Sequence, residues 1–204
     1  MCCLCCAGSG TGLSKLLTYR ILPQPERDAA LLKDCTDGMA LDDAGLLEVL
    51  CTRTNIELKL ALAHFSAAYK KDLVEVLKAR STYKNYREFV LKVLECDRDE
   101  NNKPFDLDTA RRYAQDLYAA GAGRSLGMDP EPFIRILSNV SRKQFESINE
   151  QYPNKQLVKD ITAKLGGDFQ LAVLTRVADK YEYFASRIEA AIKGFSPDKE
   201  TVCR

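Results

Sequence analysis

The densest reactive chemistry in this chain lies in its first six residues, where Cys2, Cys3, Cys5 and Cys6 set four thiols around one leucine. Zinc binding would require four sulfurs to surround the ion tetrahedrally, which thiols packed so closely can hardly do, although Cys2/Cys5 and Cys3/Cys6 each leave a two-residue gap. S-acylation requires only accessible cysteines, and two or more acyl chains hold a protein on a membrane where one does not. A leader without fixed structure is the third reading. Position 2 is not glycine, so N-myristoylation is excluded.

The other cysteines, Cys35, Cys51, Cys96 and Cys203, are scattered and do not form a disulfide framework. Cys35 and Cys51 fall on apolar helix faces and are expected to be buried thiols. Catalytic groups are sparse. The single histidine, His64, sits among Leu60, Ala61, Leu62, Ala63 and Phe65 and is expected to be packed or half-buried, with no partner that would make it a general base. No nucleophile arrangement and no glycine-rich phosphate loop following a strand is present. The chain is therefore expected not to be an enzyme.

The elements that position these residues come in a repeat. Ala40-Leu41-Asp42, leading into the apolar run Leu46-Leu47-Glu48-Val49-Leu50, recurs as Gly127-Met128-Asp129 leading into Phe133-Ile134-Arg135-Ile136-Leu137. The register holds through Thr54/Ser141 and Phe65/Tyr152. Apolar residues follow the 3.6-residue period almost throughout, with hardly any alternating β-branched runs, so the expected fold is all-α. Helices are predicted over 13–22, 26–35, 43–51, 55–68, 71–79, 85–95, 107–119, 131–138, 142–151, 155–165, 169–178 and 180–192. Pro23, Gly38, Gly121, Pro130, Pro153, Gly166, Gly167 and Gly194 punctuate them. The polar stretch 97–106 is the longest connector. It separates two five-helix units, predicted at 24–96 and 107–178. They are flanked by a leader (1–12), the end of a partial repeat (13–22) and the start of a truncated one (179–204).

Thirty basic against 29 acidic residues leave a net charge of +1, which excludes nucleic acid as a partner nominated by bulk charge. No apolar run approaches the roughly 20 residues needed to span a bilayer, so a cytoplasmic location is expected.

Leu50-Cys51-Thr52-Arg53-Thr54-Asn55, following a loop that begins at Gly38 and ends at Asp42-Asp43, resembles the annexins. In that family the loop reads Gly-x-Gly-Thr-Asp/Glu ahead of a helix ending Leu-Cys-Thr-Arg-Ser/Thr. Asp97-Arg98-Asp99-Glu100, Ala114 through Gly121 and Gly127-Met128-Asp129 extend the likeness through the passage from the second annexin repeat to the third. From Leu13 onward, the resemblance implies part of a four-repeat protein. Phe195-Ser196-Pro197-Asp198 stands where the fourth repeat's loop would begin, so a fragment, a truncated product or a shortened family member is expected.

The resemblance implies calcium-bridged docking on acidic phospholipid, in which loop carbonyls and a carboxylate about 40 residues downstream hold the ion. The loop positions carried over are Gly38, Ala40, Asp42, Gly121, Gly127 and Asp129, and this sequence departs at several of them. The first loop reads Gly38-Met39-Ala40-Leu41, without the second glycine and the threonine, and Met128 replaces the second loop's threonine. The closing carboxylate should fall at Arg80 or Ser81 in the first unit and at Lys164 in the second, and none of these is acidic. Calcium binding is therefore expected to be weak. The same comparison places Arg80, Lys84, Arg124 and Lys164 on the membrane-facing side, where direct phosphate contact could replace the metal at about 1 kcal/mol per basic residue. The degenerate loops resemble those of divergent protist annexins, including the alpha-giardins of cytoskeletal assemblies. The expected partners are thus an acidic phospholipid surface in peripheral association or, alternatively, cytoskeletal proteins bound by a helical scaffold.

Overall fold

Hydroxyl and carboxylate side chains open most of the helices, because they satisfy backbone N–H groups that have no partner in the first turn. Asp42 accepts from the Gly45 amide at 2.9 Å and Asp106 from the Thr109 amide at 2.9 Å. Thr54 with Glu57, and Ser141 with Gln144, form reciprocal capping boxes at matching places in the repeat. The structure, a computed structural model, describes residues 12–193 and 198–203. Phe195, Ser196, Pro197 and the four leader cysteines lie outside them.

The helices are α1 (Gly12–Ile21), α2 (Gln24–Asp37), α3 (Asp43–Leu50), α4 (Asn55–Tyr69), α5 (Leu73–Arg80) and α6 (Lys84–Val93). After the connector come α7 (Leu107–Ala120), α8 (Pro130–Leu137), α9 (Arg142–Gln151), α10 (Leu157–Lys164) and α11 (Gly167–Val177). Then follow α12 (Lys180–Ile192) and the short α13 (Lys199–Cys203). The fold is all-α, as expected. In the first set of five, α2 packs along α4 and against α3; in the second, α7 packs along α9 and against α8. The two sets meet where α6 and α3 pack against α11, and α6 also against α8. Phe89 and Phe169 stack edge to face across that seam with centroids 5.9 Å apart. One continuous apolar cluster runs from Tyr19 through Leu32, Phe65, Leu117 and Ile148 to Val177.

Charged groups pin the layers where apolar contact alone would not. Asp28 is fully buried and takes a bidentate pair from Arg53, with Nε at 2.6 Å and a terminal nitrogen at 2.9 Å. Glu48 of α3 receives Arg187 of α12 at 3.0 Å. Arg176, only 2% exposed, donates to the carbonyls of Ser138 at 2.8 Å and Leu50 at 3.4 Å, at the C-terminal ends of α8 and α3. Burial pushes its pKa down to about 10, and it still carries its charge at neutral pH.

Two expectations are corrected. The tenth helix starts at Leu157, not at 155, because Asn154 (φ 55°) and Lys155 (φ 56°) are left-handed and cannot lie in an α-helix; a 3-10 turn, Pro153–Lys155, takes their place. His64 lies exposed on the outer side of α4, while Ala61 and Phe65 face the core. Cys35 and Cys51 are buried, and burial pushes the Cys51 thiol up to about 11, which leaves it inert at neutral pH.

Candidate functional site

The interhelical loops gather at one end of the two sets. The α2–α3 and α7–α8 loops precede the N-termini of α3 and α8, and each set's fourth and fifth helices also turn at a short loop, 81–83 and 165–166. The opposite ends of α3 and α8 face the connector, where Glu100 accepts from the Asn55 amide at 2.6 Å and Arg98 Nε donates to the Val140 carbonyl at 3.2 Å. Loop tips and connector therefore occupy opposite faces.

In the first loop, the Asp42 amide returns to the Cys35 carbonyl at 3.0 Å while its carboxylate caps α3, and Gly38 is extended (φ −66°, ψ 174°). That path points the carbonyls of Thr36, Gly38 and Met39 toward the end of α5. Arg80, its last residue, donates one terminal nitrogen to Thr36 O and the other to Gly38 O at 2.6 Å and Met39 O at 3.2 Å. Where the resemblance implies a closing carboxylate, a guanidinium grips carbonyls of the loop and of the last turn of α2. Arg80 is therefore not the free lipid-facing cation that its residue type suggested.

The second loop closes on its own backbone. The Gly123 amide bonds Tyr118 O at 2.8 Å, Arg124 N bonds Gly121 O at 3.1 Å, and Asp129 N bonds Ala120 O at 2.8 Å. Glycine is required here by close approach: a Cβ on Gly121 would lie 3.0 Å from Phe133 Cζ and one on Gly123 3.0 Å from the Tyr118 carbonyl. Gly127 requires it through φ +69°. Asp129 caps α8 through the Glu131 amide at 3.1 Å. Lys164 ends α10 exposed and makes no ion pair or side-chain hydrogen bond among the described residues, nor does exposed Arg124. Among the described residues, Lys84 pairs only with Glu88, at 3.8 Å.

These residues do not fit a closed calcium site. Both loops lack the closing carboxylate, Arg80 holds two of the first loop's carbonyls and one from the last turn of α2, and Gly121 O accepts from the Arg124 amide. No group of three or more His, Cys, Asp or Glu side chains is placed to hold a metal among the described residues. Gly38, Ala40, Asp42, Gly121, Gly127 and Asp129 thus shape two loops without assembling a ligand set. The nearby acidic groups are set against one another. Burial pushes the Asp43 carboxyl up, the adjacent Tyr86 hydroxyl opposes that, and Asp168 and Asp42 add repulsion. A cavity of about 420 Å³ lies beside them, lined by Tyr83, Lys84, Tyr86, Met128, Gly167 and Asp168.

Two residues that sequence reasoning passed over stand at the loop tips. Met39 is 105% exposed and Leu126 is 87% exposed, among the largest exposures of any apolar side chain in the structure. Each is a large apolar residue beside glycine in a loop between helices, Gly38-Met39-Ala40 and Ser125-Leu126-Gly127, and that context was the legible sign.

Fold and loops together define an all-α repeat protein with two five-helix units that present paired loops on one face. The annexin family model matches residues 27–93. Annexin A13 of Canis lupus familiaris is 35% identical over 189 residues, covering 89% of this chain and 59% of that protein. The solved structure of annexin III superposes with a TM-score of 0.86 at 29% identity, covering 96% of this chain and 62% of the other. A calcium-bound alpha-14 giardin shares the fold at a TM-score of 0.77 and 19% identity, covering 96% of this chain and 66% of the other. The chain is similar to the annexins in sequence and in fold, and it spans about three-fifths of the length of the curated annexin A13 it matches. No helix among the described residues is long and apolar enough to cross a membrane.

Proposed function

We propose that this chain docks peripherally on acidic phospholipid through its loop-bearing face, with calcium dependence weakened or absent in both units. The observation that carries this reading is the pair of exposed apolar tips, Met39 and Leu126, on the face that also holds Lys84, Arg124 and Lys164. An exposed leucine or methionine is unfavourable in water and gains about 1.5–3 kcal/mol on leaving it. Basic side chains nearby add attraction to anionic headgroups, screened by salt. The family supports lipid docking in general, while the weak calcium dependence rests on the missing carboxylates. Acylation of Cys2, Cys3, Cys5 and Cys6 would reinforce the same location, and the chain acts by binding rather than catalysis. The absence of both closing carboxylates also favours a second reading, a cytoskeleton-associated helical scaffold.

Sedimentation of the purified chain with phosphatidylserine vesicles, in millimolar calcium and in chelator, tests the reading. Equal binding in both conditions supports it. Binding only with calcium refutes the weakened dependence, and no binding in either moves the chain to the scaffold reading.

A further inference from the structure

The last turn of α2 and the first loop together present three convergent carbonyl oxygens, the arrangement a cation would take, and a side chain from 41 to 44 positions further along already holds them. Thr36 O, Gly38 O and Met39 O face one guanidinium, whose planar fork carries a permanent charge and donors pointing in several directions. We propose that Arg80 is a tethered cation standing in the metal position of the first loop, so that this loop keeps its docking shape without calcium.

The second loop supplies the contrast. It has a lysine, Lys164, at the corresponding helix end, and that lysine is exposed; the loop is held by its own amides at Gly123, Arg124 and Asp129. A compact ammonium has no planar fork to span several carbonyls, which a guanidinium has. Where the second loop is closed by three bonds among its own backbone groups, the first is closed by the Asp42 amide on Cys35 O. Arg80 supplies the missing constraint. Because Gly38 O and Met39 O are both bound, the Met39 side chain is held outward at the tip, which extends the docking reading above to a specific positioning residue. The arrangement also makes the loop a poor calcium ligand, since its carbonyls are occupied and the nearest charge repels the ion.

Three variants test this apart from membrane binding. Arg80→Gln removes the cation, and amide exchange at Asp42 should accelerate at least tenfold while core amides such as Leu117 stay unchanged. Arg80→Lys keeps the charge without the fork and should accelerate Asp42 to an intermediate degree. Arg80→Glu removes the plug and restores a carboxylate, so calorimetric titration with calcium chloride should show one bound ion that the unsubstituted chain and Arg80→Gln lack. Unchanged Asp42 exchange in Arg80→Gln, or first-loop calcium binding as strong in the unsubstituted chain as in Arg80→Glu, would overturn the proposal. Because no readout involves vesicles, a chain that ignores lipid yet shows these changes would refute the docking reading alone.

Discussion

Leu126→Asp isolates the apolar part of docking. The side chain is 87% exposed, so the substitution removes no core contact and should leave unfolding stability within about 0.5 kcal/mol. On an anionic membrane the variant loses the transfer of a leucine side chain, about 1.5–3 kcal/mol. It also adds a carboxylate repelled by the surface, at about 1 kcal/mol. Together these come to roughly 2.5–4 kcal/mol, and at about 1.4 kcal/mol per decade the vesicle partition coefficient should fall by about two to three orders of magnitude. The assay is vesicle sedimentation in chelator at physiological salt, with thermal unfolding as the control for folding. Met39→Asp, at the other tip, should behave alike. A change below about threefold in both variants, with unfolding unchanged, would mean that neither tip enters the membrane and that the reasoning from exposure is wrong.

Replacing Arg124 and Lys164 together with alanine should weaken vesicle binding at low salt and hardly at all at high salt, because screening already removes their contribution there; equal loss at both would point to contacts other than electrostatic ones. Asp28→Asn strips the counter-charge from Arg53 and should cost about 3–5 kcal/mol in denaturant unfolding; a cost below 1 kcal/mol would show that water or a shifted side chain satisfies the guanidinium. Asp43→Asn carries a pH signature. Its folded carboxyl titrates above 3.8, so the folded state holds the proton more tightly, and the stability Asp43 contributes at low pH is lost as pH rises through the raised value. The asparagine variant should therefore melt higher than the parent at neutral pH, with the advantage vanishing below about pH 4; a variant that melts lower at neutral pH would place a stabilising partner on the ionised carboxylate.

Most of the helical architecture was legible because local rules and burial agree in these segments. Helices α9 and α12 run over the predicted 142–151 and 180–192, each begun by a capping side chain, Ser141 or Asp179, and followed by a 3.6-residue apolar period. Legibility failed where backbone conformation departs from residue preference: nothing about Asn154 or Lys155 as residue types required a left-handed φ there. On α4 the apolar residues are spread around the helix, so periodicity could not tell His64 and Leu60, both outward, from Ala61 and Phe65, both inward. The candidate site was half legible. The Asp-led repeat marked both loops and the annexin resemblance marked the missing carboxylates, yet the exposed tips Met39 and Leu126 stood beside the charged residues with only a neighbouring glycine as a sign.

The sequence by itself determined that this is an all-helical repeat chain, a property that follows from periodicity and capping read within a few turns of chain. Its resemblance to the annexins then marked two loops whose expected closing acidic positions hold Arg80, Ser81 and Lys164 instead. Only the tertiary structure decided what replaced the lost carboxylate. Arg80 meets Thr36, Gly38 and Met39 because α2 and α5 end at the same face, and a contact between residues more than 40 positions apart is set by packing rather than by local pattern. The same packing turned Met39 and Leu126 to solvent, while Leu41 and Met128 of the same loops lie against the core.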